Sequence, residues 1–170
     1  MSETVYILLG SNLGDREKNL NRTLDRLESL EGLELVAVSG IYVSEAVGMS
    51  EADAPSFMNQ VVKAEYQFTA AELLGSLELV EKNLGRTGKG KKESRMIDLD
   101  ILLYGEHVIE TETLSIPHRE LLNRPFSLVP LLEIDPDIIH PVTGTPAADF
   151  LDESAARKVM LYRDHVARTI

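Results

Sequence analysis

The sequence predicts an α/β (α+β) two-layer sandwich of ferredoxin-like type, with helices on one face of an antiparallel four-stranded sheet. Three observations predict it. Apolar patterning switches between strand and helix periods in the order β-α-β-β-α-β. Each helical segment carries its apolar residues along one side. The chain has 170 residues, of which 44% are hydrophobic, the size of one domain with a sizeable core.

Thr4–Leu9 (TVYILL) is β-rich and apolar and reads as a buried strand. GSNLGD (10–15) ends it and supplies Asn12 and Asp15 as candidate helix caps. Arg16–Leu30 follows as a helix with Leu20, Leu24, Leu27 and Leu30 on one stripe, stopped by Gly32. Leu33–Val43 has period-two character, a single strand. Residues 44–55 form a long loop, and Phe57–Phe68 is the next strand. Ala70–Leu84 is a helix with Leu73, Leu74, Leu77, Val80, Glu81 and Leu84 near one face. Met96–Tyr104 is a strand, and Val108–Ile109 a short one after a Gly105-Glu106 turn. The proline-rich stretch 116–151 carries short helices at HRELLN and PFSLVPLLEI. Asp152–Ile170 is charged and set apart, a helix or a strand.

Composition narrows the function. The formal net charge is −11, which disfavours broad binding to nucleic acid or an anionic membrane. No apolar run reaches the length of a membrane span, and MSETVYILLGSNLGD lacks the basic start of a signal peptide. There is no cysteine, so disulfides and thiolate sites are excluded and a cytoplasmic protein is expected.

The chemistry concentrates in three places. In SRMIDLDILLY (94–104), Asp98 and Asp100 are two apart on a strand, so they share a face. Ile97, Leu99, Ile101 and Leu103 are expected on the other face, in the core. Paired hard oxygen ligands on a rigid strand suit Mg²⁺, which takes its remaining ligands from water and phosphate. Two such ions can be bridged by carboxylates in phosphoryl-type transfer. The preceding loop, GRTGKGKKESR (85–95), holds Arg86, Lys89, Lys91, Lys92 and Arg95 against one acid. Its glycines let the backbone approach an anion, and its cations suit phosphate. It is not a Walker A loop: it lacks the Ser or Thr and runs from helix to strand. The third place is 115–126, where His118 and Arg124 can complete an anion site. Phe57 and Phe126, each beside a polar residue (Asn59 or Arg124), suit a flat ring stacked between aromatics. His107, His140 and His165 show no zinc spacing.

These pieces resemble the 6-hydroxymethyl-7,8-dihydropterin pyrophosphokinase family of folate biosynthesis. The matching segments are VYILLGSNLGD, FMNQVV (57–62), ELLGSLELVEKNLGR (72–86), SRMIDLDILLYG (94–105) and IPHRELLNRPFSLVPLLEI (116–134). The resemblance implies that ATP and hydroxymethyldihydropterin give the pterin diphosphate and AMP. It implies that Asp98 and Asp100 bind two Mg²⁺, with Arg95 and Arg86 also catalytic. ATP contacts are implied for Glu81, Arg86, Lys89, Arg95, His118 and Arg124, and Glu78 lies on the same helix as Glu81. Pterin contacts are implied for Ser44, Val47, Phe57, Asn59, Phe126 and Asp98. Some members carry Trp-Gly-Pro where this chain has Lys92-Glu93-Ser94, and a second Arg where it has Gly88. The match implies a pyrophosphokinase domain over 1–151 and leaves 152–170 as an extension without a role. A monomer acting on small molecules, without nucleic acid or membrane, is expected. A ferredoxin-like small-molecule-binding module without catalysis is the alternative; it leaves a basic loop abutting paired carboxylates unexplained. A nucleotidyltransferase is disfavoured because the Gly10-Ser11 turn lies far from the acids in sequence.

Overall fold

A computed structural model describes residues 2–44, 57–85 and 96–163. Strand β1 (Glu3–Ser11) is buried from Val5 onward, which is why its sequence is apolar without alternation. Helix α1 (Arg16–Glu28) starts where Asp15 accepts the Lys18 N–H at 3.1 Å, and it buries Leu20, Leu24 and Leu27. Gly32 sits at φ +81° with its missing Cβ 2.4 Å from the Phe68 ring, so both conformation and space demand glycine there.

The single strand expected over Leu33–Val43 is two: β2 (Leu33–Val38) and β3 (Ile41–Ser44). Both lie along β4 (Phe57–Tyr66), which is long enough to pair with each in turn. The break is at Ser39 and Gly40. Ser39 exchanges hydrogen bonds with Val61 through its backbone N–H and its Oγ, both at 2.9 Å. Gly40 turns its N–H to the Glu133 carboxylate. Helix α2 (Ala70–Asn83) opens with a reciprocal cap between Thr69 and Glu72 and buries Leu73, Leu77 and Val80. Strand β5 (Asp98–Tyr104) follows, then a small hairpin of β6 (Ile109–Glu110) and β7 (Ser115–Ile116).

The strands of the main sheet run in the order β5-β1-β4, with β2 and then β3 beside β4, all antiparallel. This is the expected ferredoxin-like order. The sheet is larger than four strands, however. The segment set apart at 152–170 contains helix α4 (Glu153–Ala156) and strand β8 (Met160–Arg163), and β8 pairs with the outer edge of β3. Arg163 also meets Glu17 at the start of α1 at 2.7 Å.

Helices α1 and α2 cover one face, packed on Ile7, Leu9, Val62, Leu99 and Ile101. The other face carries helix α3 (Pro125–Ile134), whose Leu128 and Leu131 pack on Tyr6, Leu8 and Val61. The sandwich therefore gains a partial third layer. Leu103 also belongs to the α3 side, not to the α1/α2 side that strict alternation gives. The β1–β5 register steps between Tyr6↔Leu103 and Ile7↔Ile101, so Leu102 is an extra residue that reverses the sides beyond it. Helix α3 is anchored at its C-terminal end. Tyr6 donates its hydroxyl to Asp135, which also pairs with Lys63 at 2.9 Å, and Tyr42 donates to Glu133. Its N-terminal end, Arg124–Phe126, is left over the end of the sheet where β1, β4 and β5 meet the cavity described below.

His140, 7% exposed, accepts the Val142 and Thr143 N–H groups at 3.2 and 3.4 Å on Nδ1. Burial pushes its pKa below the ordinary 6.5. The unfolded chain then takes up a proton where the folded chain does not, so stability falls as pH drops below about 6.5. Urea midpoints between about pH 7 and pH 5 check this: the fall is expected to be shallower in His140→Asn, and an unchanged slope overturns it.

Candidate active site

The pairing register brings the separate motifs into one row. Gly10 on β1 lies opposite Asn59 on one side and Asp98 on the other, and Leu8 lies opposite Asp100. These positions face α3, where a cavity of about 650 Å³ opens between the sheet and the first turn of that helix. Phe57, Asn59, Asp98, Asp100, Arg124 and Phe126 line it, together with Gly10 and Ser44. A Cβ on Gly10 would stand 3.0 Å from Asn59 Oδ1. Bare backbone at this point therefore lets a ligand lie flat between the amide and the acids.

On the β4 side, Asn59 is 3% exposed and donates Nδ2 to Ser44 Oγ at 3.3 Å. That bond orients the amide, and an oriented amide can match donors and acceptors along the edge of a heterocycle. The half-buried rings of Phe57 and Phe126 supply apolar walls for such a ring. The Arg124 guanidinium lies 5.6 Å from the Phe126 ring centroid, which keeps a cation beside the slot.

On the β5 side, Asp98 and Asp100 project together as the spacing requires, both partly exposed, with Leu99 and Ile101 buried between and beyond them. His118 approaches Asp100, Nε2 to Oδ1, at 3.9 Å. Two backbone bonds hold it. Its N–H donates to the carbonyl of Leu102, the bulge residue, at 3.0 Å, and its Nδ1 accepts the Glu120 N–H at 3.1 Å. With Nδ1 occupied as acceptor, the neutral ring carries its proton on Nε2, facing the acids. Burial, and then the Arg124 charge, lower its pKa, so the ring is held neutral. A second cavity of about 390 Å³ starts at Asp100 and His118 and runs past Leu74, Leu114 and Ser115.

A family profile described as "7,8-dihydro-6-hydroxymethylpterin-pyrophosphokinase (HPPK)" matches residues 6–136. The chain belongs to the HPPK family. It is 41% identical over 154 residues to the 2-amino-4-hydroxy-6-hydroxymethyldihydropteridine pyrophosphokinase of Aquifex aeolicus, covering 91% of this chain and 94% of that protein. It is 39% identical to the Haemophilus influenzae protein of the same name, covering 81% and 85%. It is also 41% identical to the folic acid synthesis protein fol1 of Pneumocystis carinii over 89% of this chain, but spans only 20% of that protein's length. Among solved structures, Plasmodium falciparum HPPK-DHPS wild type with pteroate superposes with a TM-score of 0.72 at 13% identity, covering 92% of this chain and 43% of that one. That likeness concerns the fold alone.

Of the residues the sequence singles out, Ser44, Phe57, Asn59, Asp98, Asp100, Arg124 and Phe126 share the larger HPPK cavity, and His118 borders the smaller one. Val47, Arg86, Lys89 and Arg95 lie outside the described residues. Glu81, for which a nucleotide contact is expected, lies where α2 meets β5. It is 3% exposed, lines neither cavity, and accepts the Leu99 N–H on Oε2 at 2.8 Å. Glu78, one turn earlier, is exposed and also lines neither. Sequence reasoning passed over Gly10 and the apolar Leu74 and Leu114. The GSNLGD turn marks Gly10 only as punctuation, and Leu74 merges with the core stripe of α2.

Proposed function

We propose that this chain transfers the pyrophosphoryl group of ATP to the hydroxymethyl group of 6-hydroxymethyl-7,8-dihydropterin, giving the pterin diphosphate and AMP. The observation that carries the reading is the single cavity in which an amide-and-aromatic slot opens onto two same-face carboxylates. Neither half alone specifies the reaction. A slot without acids binds a ring; acids without a slot bind a metal.

The donor set fits magnesium. Asp98 and Asp100 offer oxygen only and keep partial access to solvent. Among the described residues no group of three or more His, Cys, Asp or Glu side chains is assembled as a complete cage. Two carboxylates suit an ion that takes its remaining ligands from water and phosphate, and two Mg²⁺ held by Asp98 and Asp100 are proposed. Bound there, the ions supply neutralisation of phosphate oxygens and acidify the attacking hydroxyl.

The chain's own residues do the rest. Asn59 and Ser44 fix the pterin edge, with Val47 as a further pterin contact, and Phe57 and Phe126 fix its plane. The hydroxymethyl group then lies on the Asp98 side of the slot. His118 Nε2–H and the Arg124 guanidinium donate to phosphate oxygens. Arg86, Lys89 and Arg95 bring cations from the loop that precedes β5. Asp100 borders both cavities, so the nucleoside belongs in the smaller one, with its phosphates running toward the acids. The transfer relies on alignment and charge neutralisation, not on a covalent intermediate. No helix among the described residues is long and apolar enough to cross a membrane. A cytoplasmic monomer is the proposed form.

The test is product analysis with the full chain. AMP is expected from ATP only when both hydroxymethyldihydropterin and Mg²⁺ are present. Release of pyrophosphate in place of AMP would indicate nucleotidyl transfer. Tight pterin binding with no turnover would leave the non-catalytic module.

A further inference from the structure

Glu81 stands where an acid is expensive. It is in the last turn of α2, the end at which the helix dipole disfavours negative groups, and it is 3% exposed. Its neighbours on the buried side of the helix are Leu77, Val80 and Leu84. An apolar residue would suit that stripe better. What the acid does there is specific: Oε2 accepts the backbone N–H of Leu99 at 2.8 Å.

Leu99 is the residue between Asp98 and Asp100. Among the described residues, strand β5 is the outermost strand of its side of the sheet and pairs with β1 alone. An outer strand turns alternate N–H groups away from its partner, where they need another acceptor. Glu81 supplies one at the point that separates the two acids. A few residues on, the outward carbonyl of Leu102 is taken by the His118 N–H. The strand is thus pinned from outside on both sides of Asp100, by helix α2 and by the segment carrying His118.

We propose that Glu81 is a positioning residue for the aspartate pair, its carboxyl group fixing the β5 backbone at Leu99 so that Asp98 and Asp100 present their oxygens in one fixed arrangement. This rests on the reading of those aspartates as the metal-holding pair. A supporting residue behind a metal ligand sets ligand geometry without touching the metal, and its loss weakens metal use and turnover together. A carboxyl that touched nucleotide or metal directly would act through its charge. The side-chain oxygen of glutamine can accept the same N–H without the charge, which separates the two cases.

The experiment compares Glu81→Gln and Glu81→Ala in the full chain by AMP production, by the Mg²⁺ concentration for half-maximal rate, and by hydrogen exchange at the Leu99 amide. Glu81→Gln is expected to stay within about threefold of the parent in kcat and to keep the Leu99 amide protected, as rescue by a like-shaped acceptor requires. Glu81→Ala is expected to lose about tenfold in kcat, to need several-fold more Mg²⁺, and to expose the Leu99 amide to exchange, with pterin affinity unchanged. Should Glu81→Ala not fold, Glu81→Asp, one methylene short of Leu99, is read by the same three measurements with the same expectation. The inference is overturned if Glu81→Gln is as impaired as the shortened variant while Leu99 stays protected, because charge and not placement is then at work. It is also overturned if Leu99 exchange rises with no change in rate or Mg²⁺ requirement. Absence of AMP from the parent chain would instead remove the proposed reaction, leaving the exchange comparison to report on the Glu81–Leu99 bond by itself.

Discussion

Asp98→Ala and Asp100→Ala are each expected to lower turnover at least about a hundredfold, on the order of 3 kcal/mol in the barrier. The expectation follows from position. Both carboxylates face the cavity from a strand whose alternate residues, Leu99 and Ile101, are locked in the core. Removing a carboxylate therefore leaves the fold in place and takes away one of the two carboxylates that the cavity offers to a divalent ion. Thermal unfolding should shift little, since neither side chain is fully buried. Steady-state AMP production at saturating Mg²⁺ is the measurement. Near-normal turnover in either variant removes the metal assignment. Pterin affinity measured by calorimetry without Mg²⁺ should survive in Asp100→Ala, because Asn59 and the rings lie beyond Gly10 on the β4 side.

Asn59→Ala is expected to raise the pterin KM by about thirtyfold, some 2 kcal/mol, while the KM for ATP stays within about threefold. The Asn59 amide is buried, oriented by Ser44, and set beside a backbone position that admits no side chain without contact. A heterocycle edge that loses this partner is left with unpaired polar groups against a buried wall, which is more costly than losing an exposed bond. Equal rises in both KM values, or none in the pterin KM, would show that the amide does not read the pterin.

Much of this site was legible because strand geometry is simple. Two aspartates separated by one leucine must share a face wherever the strand lies, and the structure keeps them so. Stripes of leucine locate α1 and α2 for the same reason, and the stripe on α2 places Glu81 among buried residues. Other features could not be read locally. The extra residue at Leu102 that sends Leu103 to the α3 side depends on the partner strand, since alternation in one strand cannot reveal a register step between two. The break between β2 and β3 depends on Val61 and on Glu133, a residue far along the chain. Strand β8 has four exposed residues and so no buried face to announce it; it exists because β3 leaves an edge to be paired. The cavity is a product of all these, since Asp98, Gly10 and Asn59 become neighbours only once three strands align.

The pairing of β3 with β8 also sets a timetable. Ile41 and Val43 wait for Arg163 and Met160, so the strand that ends at Ser44 acquires its outer neighbour only after the whole intervening stretch has been made. At ribosomal speed that delay is on the order of ten seconds. During it, the outer side of β3 is an open ribbon edge, the kind of surface to which nascent chains stick. Extension of the sheet and protection of this edge thus arrive together, with strand β8.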